Sequence, residues 1–174
     1  KNLTACIFAR GGSKGVKDKN IRMAGDKPLI GHSITCALNS KYISNVIVST
    51  DSEKIADVAR EYDAQVLMRP YNLAEDATPE ILAWRHMIKS NQDVFNAQEL
   101  FISLPTTSPM RQPIDIDNGI EKFHNSRDNC DIVFSISPAA SSPYLSMVKI
   151  NDEDLIEVVI GGSDAVRRQD VPDV

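Results

Sequence analysis

A buried strand that runs directly into a glycine-rich, basic loop constrains the fold of this chain more than any other feature. Residues 3–8 form a near-continuous apolar run, which is typical of a central strand covered on both faces. The loop at residues 9–20 follows. Pro28 then stands at the first turn of a predicted helix with an apolar stripe, where no N–H is needed. Together these segments predict one βα unit.

The same alternation of strands and helices continues along the chain. Further strands are predicted at residues 46–48, 66–68, 100–104 and 131–136, and further helices after residue 52 and at residues 79–89 and 113–124. This pattern predicts an α/β fold in which helices wrap a mostly parallel sheet. Beyond residue 137 two short strand-like segments, 147–150 and 155–160, predict a small hairpin excursion from that sheet.

Length, charge and cysteine spacing narrow the class of protein. A chain of 174 residues predicts one domain over residues 1–174. The net charge of −5 argues against a nucleic-acid partner, and no apolar run is long enough to predict a membrane span. Cys6, Cys36 and Cys130 have neither disulfide-framework nor zinc-site spacing, so we expect a cytoplasmic protein.

The loop after the first strand concentrates positive charge in an otherwise acidic chain. Between residues 10 and 22 the cations are Arg10, Lys14, Lys17, Lys19 and Arg22, against the single acid Asp18. Backbone N–H groups in a glycine-rich turn, together with such cations, are typical of a polyphosphate site. Two simpler readings stay open: a solvated basic loop, and glycines that serve only a turn with positive φ. The Walker and G-x-G-x-x-G phosphate patterns both fail here, which disfavours a kinase and a dehydrogenase.

Loops from four distant parts of the sequence should meet at one edge of the sheet. Because ligands bind beyond the carboxyl ends of parallel strands, we expect the basic loop, Asp51, Arg69 and residues 105–111 to lie close together. For Asp51 we prefer a second interpretation, in which it caps the helix that follows rather than contacting a ligand. Thr106, Thr107 and Ser108 either contact substrate or satisfy loop backbone, and their place after a parallel strand favours substrate contact.

Six short motifs in this order resemble those of the acylneuraminate cytidylyltransferase family, whose members activate nine-carbon α-keto acid sugars as nucleotide monophosphates. The motifs are Ala9-Arg10-Gly11-Gly12-Ser13-Lys14-Gly15 followed by Lys19-Asn20, Leu29-Ile30-Gly31-His32-Ser33-Ile34, Ser49-Thr50-Asp51, Arg69-Pro70, Thr107-Ser108-Pro109-Met110-Arg111 and Arg167-Arg168-Gln169. The resemblance implies a Rossmann-like nucleotidyltransferase fold of the GT-A type. It also implies an enzyme that joins CTP to a sialic acid or a relative, releasing pyrophosphate.

The resemblance assigns roles to residues at the matching positions. It implies catalytic roles for Arg10, Lys19 and Arg168. Nucleotide contacts are implied for Arg10, Gly11, Gly12, Ser13, Lys14, Gly15, Lys19, Asn20 and Arg69, and sugar contacts for Thr106, Thr107, Ser108, Arg111, Arg168 and Gln169. Arg168 would hold the sugar carboxylate, because a guanidinium suits a planar anion.

Two departures from the family pattern leave the acceptor sugar open. Pro105 stands where relatives that use sialic acid often have Gln, and Leu145 stands in a segment where others have Lys. Loss of a buried polar contact changes discrimination between analogues. A legionaminate-type enzyme that uses CTP or GTP is therefore an alternative, and a non-catalytic nucleotide or sugar-acid binding module is another.

The resemblance also implies parts that the first 174 residues do not contain. We expect a further strand and helix, with an Asp-x-Asp-like site for Mg²⁺ or another divalent cation, beyond residue 174. Family members dimerise through their excursion, so residues 137–165 are predicted to form a homodimer contact.

Overall fold

The computed structural model describes residues 2–98, 100–137, 141–144 and 146–161. In chain order the strands are β1 Leu3–Phe8, β2 Met23–Ala24, β3 Lys27–Pro28, β4 Ile43–Thr50, β5 Gln65–Met68, β6 Ile102–Ser103, β7 Val148–Ile150 and β8 Ile156–Val158. The helices are α1 Leu29–Leu38, α2 Glu53–Glu61, α3 Glu80–Ser90, α4 Gln92–Ala97 and α5 Pro113–Ser126.

The chain divides into two compact units, Lys1–Ile132 and Val133–Val174. The predicted single domain over residues 1–174 stays a prediction. In the described part of the chain, every helix is too short or too polar to cross a membrane.

A parallel sheet in the order β5-β4-β1-β6 forms the centre of the first unit. The strand β1 lies inside it, and its residues Ala5, Cys6 and Ile7 are fully buried. Both faces of β1 are covered, which explains why its apolar run is continuous, as the sequence predicted. This confirms the predicted α/β fold with a mostly parallel sheet. The second predicted strand is longer than expected and the fourth is shorter.

Helices cover both faces of this sheet. One face packs against apolar residues of α1, α2 and α5, including Ile34, Ile55 and Ile120. The other face packs against Met87 of α3 and Phe95 of α4. Adjacent residues of β1 divide between the two clusters, because successive side chains of a strand point to opposite faces.

A two-stranded antiparallel ribbon, β2 and β3, joins the basic loop to α1. The sequence pattern does not indicate this ribbon. Gly25 forms its turn with a φ of 75°, a conformation that glycine adopts without steric cost. The backbone N–H of Leu29 donates to the carbonyl of Arg22 across 3.0 Å. The ribbon thus fixes the end of the basic loop at the start of α1.

The second unit contains the antiparallel hairpin β7–β8, in which Val148 pairs with Val158. Its turn includes Asp154 at a φ of 61°. This confirms the predicted hairpin, although β8 is shorter than expected.

The strand predicted at residues 131–136 is wrong, because the structure assigns no strand there. Ile132, Phe134 and Ile136 produce the alternating apolar pattern, yet they are 65%, 73% and 86% exposed. A strand needs a neighbour that accepts and donates its backbone hydrogen bonds, and local apolar alternation does not supply one.

Candidate functional site

A polar cavity of about 660 Å³ lies beyond the carboxyl ends of the strands in the first unit. Many of the predicted site residues line it, namely Arg10, Ser13, Lys14, Gly15, Lys19, Asn20, Arg69, Thr106 and Thr107. They come from the loops after β1, β5 and β6. Three of the four loops that were expected to meet therefore line this one cavity. This is the arrangement that parallel strand topology predicts.

The fourth loop, which follows β4, contacts the basic loop through a hydrogen bond between a backbone N–H and a side chain. The N–H of Gly11 donates to Oδ1 of Asp51 across 3.0 Å. A Cβ on Gly11 would lie 3.0 Å from the Cβ of Ser52, a tight contact that would require one of the two residues to shift by a few tenths of an ångström. The preferred capping interpretation of Asp51 is wrong, because Ser52 is the residue that precedes α2 and no side-chain hydrogen bond caps that helix. Asp51 instead holds the glycine-rich loop against the end of β4.

The glycines of the basic loop do not have the positive φ angles that were one open explanation for them. Among the described glycines, positive φ occurs at Gly25 and not at Gly11, Gly12 or Gly15. Gly12 and Gly15 have open space where a Cβ would stand. Close approach at Gly11, rather than turn strain, is the constraint that the structure supports.

Two cations of the basic loop share one carboxylate. Arg10 Nη1 pairs with Oδ1 of Asp76, and Lys14 Nζ pairs with Oδ2 of the same side chain. Hydrogen bonds from Lys14 and then Arg10 hold the pKa of Asp76 below its usual range. Asp76 lies in the loop before α3 and was missed by the sequence analysis. An acidic residue in an exposed loop is not part of any hydrophobic periodicity. The only sequence indication was that its loop lies near the edge of the sheet where the other loops were expected to meet.

A buried hydrogen-bond chain connects the basic loop with the loop after β6. Thr106 Oγ1 donates to Asn20 Oδ1 across 2.8 Å, and Asn20 Nδ2 donates to the carbonyl of Arg10 across 3.0 Å. Both Asn20 and Thr106 are 5% exposed. In this arrangement Asn20 fixes the backbone at Arg10, a positioning role that the resemblance did not imply.

Arg69 is a buried cation at the cavity wall. It is 8% exposed, and its backbone N–H donates to Thr50 O across 2.8 Å. Burial lowers the pKa of its guanidinium, which the charges of Asp51 and Glu80 oppose. Its Nε is buried without a hydrogen-bond partner among the described residues. A buried unpaired donor is costly, so an acceptor on a ligand would satisfy it.

Two predicted sugar contacts lie away from the cavity lining. Ser108 and Arg111 are absent from the cavity wall that the described residues form. Arg111 Nη2 donates to Pro105 O across 3.3 Å, and Cys36 Sγ donates to Arg111 O across 3.2 Å. Arg111 therefore packs beneath the loop after β6, and burial lowers the pKa of its guanidinium. Arg168 and Gln169 lie outside the described residues.

The described residues do not fit a resident divalent cation. Within the described ranges, no group of three or more His, Cys, Asp or Glu side chains could hold a metal ion. Glu75, Asp76 and Glu80 line the cavity, but Asp76 is already paired with two cations. The cations among the described residues that line the cavity are Arg10, Lys14, Lys19 and Arg69.

Comparison with known proteins gives the site its context. The cytidylyltransferase family model matches residues 4–158. The chain is 36% identical over 173 residues to post-translational flagellin modification protein B of Campylobacter coli, covering 98% of this chain and 72% of that protein. It is 36% identical over 135 residues to the N-acylneuraminate cytidylyltransferase of Escherichia coli O18:K1:H7, covering 78% and 31%. It is also 36% identical over 157 residues to the CMP-N,N'-diacetyllegionaminic acid synthase of Campylobacter jejuni, covering 89% and 66%.

A solved structure shares the fold. The chain superposes on CMP:2-keto-3-deoxy-manno-octonic acid synthetase complexed with CTP with a TM-score of 0.60 and 18% identity. The match covers 72% of this chain and 48% of that one. This confirms the predicted Rossmann-like nucleotidyltransferase fold. The chain spans about a third to just under three quarters of the length of the curated relatives described above.

Proposed function

The chain belongs to the cytidylyltransferase family, and from this premise we propose that its cavity binds the triphosphate of CTP. We propose further that the cytidylyl group passes to a nine-carbon α-keto acid sugar, such as a sialic or legionaminic acid. The observation that carries the proposal is that Arg10, Lys14, Lys19 and Arg69 line one cavity. Four cations around one space suit a polyphosphate, and a buried guanidinium suits a base or phosphate acceptor.

The proposed reaction is the one that the family resemblance implies, and the cations that line the cavity suit it. The anomeric hydroxyl oxygen of the sugar forms a bond to the α-phosphorus, and the bond from that phosphorus to the oxygen bridging the β-phosphate breaks. Pyrophosphate leaves with the electron pair, and the hydroxyl proton passes to solvent. Cations and backbone N–H groups lower the barrier by stabilising charge on the phosphate oxygens, the main source of catalysis in phosphoryl-type transfer. Arg10 and Lys19 are assigned this catalytic role.

The remaining contacts in the proposal divide between nucleotide and sugar. Gly12, Ser13 and Gly15 would present loop backbone to the phosphates, and Asn20 would hold Arg10 in place. The predicted nucleotide contact of Gly11 does not involve its N–H, which donates to Asp51. Thr106 and Thr107 line the same cavity, and the motif resemblance assigns them to the sugar. The roles of Ser108, Arg111, Arg168 and Gln169 stay predictions from the motif resemblance, and so does the divalent cation.

Two further parts of the proposal concern assembly and compartment. The exposed apolar residues of the hairpin, Val148, Ile150 and Ile156, support a homodimer contact within residues 137–165. Cys6, Cys36 and Cys130 are free thiols, which supports a cytoplasmic site of action. Light scattering on the purified protein tests the first part, since a monomer mass at micromolar concentration contradicts a dimer.

The experiment that tests the proposed reaction measures pyrophosphate release with each nucleoside triphosphate and a panel of nonulosonic acids in the presence of Mg²⁺. We expect release with CTP and not with ATP or UTP. Faster release with GTP would show that the nucleotide assignment is wrong. Binding of CTP without release across the whole panel would favour a non-catalytic binding module.

A further inference from the structure

The carboxylate of Asp76 sits where the basic loop would hold a phosphate. Its two oxygens bind two different cations, Arg10 through Oδ1 and Lys14 through Oδ2. All three residues line the same cavity. A phosphate group bridges neighbouring cations through two oxygens in the same way. The chain itself therefore supplies an anion to these two cations.

We propose that Asp76 is an internal competitor for the phosphate position and that every phosphate ligand must displace it from Arg10 and Lys14. This inference rests on the proposed function for the identity of the ligand, but the competition concerns any anion that takes both cations. Displacement lowers the affinity of all such anions by the same factor. This loss of affinity has the largest effect on a ligand that binds through the basic loop alone.

The same factor has a larger consequence for pyrophosphate than for nucleotide. Under the proposed function, CTP carries a base and ribose that would make contacts elsewhere in the cavity, so it would retain useful affinity after displacing Asp76. Pyrophosphate has only phosphate groups, and the returning carboxylate competes with it directly. The ion pairs of Asp76 should therefore favour release of pyrophosphate after the transfer step and exclude inorganic phosphate.

The local backbone keeps Asp76 beside the cavity rather than leaving its loop unrestrained. The loop starts in a short turn, where Leu73 N donates to Pro70 O across 2.9 Å. It closes where Thr78 Oγ1 donates to Asn72 O across 2.9 Å, immediately before α3. Because both ends of the loop are held, the carboxylate can return to the cations when a ligand leaves.

The strength of the contact suits a competitor that ligands can displace. The side chains of Arg10, Lys14 and Asp76 are 36%, 81% and 40% exposed, so water screens both pairs. Each exposed pair changes an equilibrium by a factor of about 1.5 to 5. Because two pairs are lost together, removing the carboxylate should tighten pyrophosphate binding by roughly 2- to 25-fold.

The test is calorimetric titration of the wild-type chain, Asp76→Asn and Glu75→Gln with pyrophosphate, CTP and cytidine, in EDTA so that no cation contributes. Glu75 lines the same cavity and precedes Asp76, so its variant removes one negative charge nearby while leaving the Asp76 pairs in place. A thermal melt of each variant checks folding. We expect Asp76→Asn to tighten pyrophosphate and CTP by similar factors and to leave cytidine unchanged. Glu75→Gln should change pyrophosphate affinity by less than about twofold, because only through-space charge is removed.

Each other outcome has a defined meaning. If folded Asp76→Asn binds pyrophosphate no better than the wild type, or no variant binds it, the competitor inference is wrong. If it binds pyrophosphate more tightly while CTP binds no better than other nucleotides in every variant, the inference stands and the assignment of CTP fails. If CTP is preferred but pyrophosphate affinity does not respond to Asp76→Asn, the proposed nucleotide stands and the inference fails.

Discussion

The hydroxyl of Thr106 donates a 2.8 Å hydrogen bond to Oδ1 of Asn20, and this bond ties the loop after β6 to the basic loop after β1. Through Asn20 Nδ2 the link continues to the carbonyl of Arg10. Two loops separated by 86 positions in the chain are thus held together by buried polar groups. The position of Arg10 at the cavity depends on this link as well as on the turn of its own loop.

The first prediction removes that link. Thr106→Val keeps the shape of the side chain but leaves Asn20 Oδ1 buried without this donor, which costs about 1–3 kcal/mol of stability. We also expect weaker CTP binding, because the backbone at Arg10 loses an anchor. Urea unfolding and calorimetry measure the two effects. Thr106→Ser keeps the donor and should resemble the wild type, whereas an equal loss in both variants would show that the hydroxyl is not responsible.

The second prediction concerns the cations of the basic loop. Arg10→Ala and Lys19→Ala should each weaken CTP binding by roughly 10- to 100-fold, the range for hydrogen bonds to charged groups. Lys17→Ala is the matched control, because Lys17 is exposed in the same loop and is not among the residues that line the cavity. Titration with CTP distinguishes the three variants. An unchanged affinity in both Arg10→Ala and Lys19→Ala would refute the site.

A third prediction uses two adjacent glycines with different surroundings. Gly11→Ala would place a Cβ 3.0 Å from the Cβ of Ser52 and push the loop away from Asp51, whereas Gly12→Ala meets nothing within 4 Å. We expect Gly11→Ala to cost about 0.5–2 kcal/mol of stability and Gly12→Ala less than about 0.5 kcal/mol. Thermal melts measure both. Equal effects would mean that close approach at Gly11 is not the constraint.

A fourth prediction follows from the burial of the thiols. Burial raises the pKa of Cys6 to about 12, so at pH 8 only about one thiol in ten thousand is ionised. Burial also raises the pKa of Cys36, whereas Cys130 is partly exposed. Labelling with a thiol-specific reagent at pH 8 should modify Cys130 first and Cys6 only on unfolding. Equal labelling rates in the folded protein would contradict the structure of the core.

The sequence predicted the central sheet well for a physical reason. The apolar run of β1 and the amphipathic periodicity of α1 and α5 reflect burial, and burial is what a local pattern records. Residues 131–136 show the limit of that reasoning. Their alternation is real, but strand formation depends on a partner edge that a local pattern does not reveal.

The site was predictable to the extent that topology determines it. The meeting of Arg10, Arg69 and Thr106 follows from parallel strands whose carboxyl ends share one edge. The ion-pair and hydrogen-bond partners of the loop residues could not be predicted from topology, because such contacts depend on distances between individual atoms. Asp76 between Arg10 and Lys14, and Asp51 on the N–H of Gly11, are contacts between positions with no common periodicity.

Product identity tests the central claim most directly. The purified protein is incubated with CTP, Mg²⁺ and each of several nine-carbon α-keto acid sugars, and the products are identified by mass spectrometry. We predict a species with the mass of CMP joined to one of these sugars, absent from parallel reactions with Arg10→Ala. The appearance of a GMP-sugar in place of a CMP-sugar, or of no nucleotide sugar although CTP binds, would contradict the account.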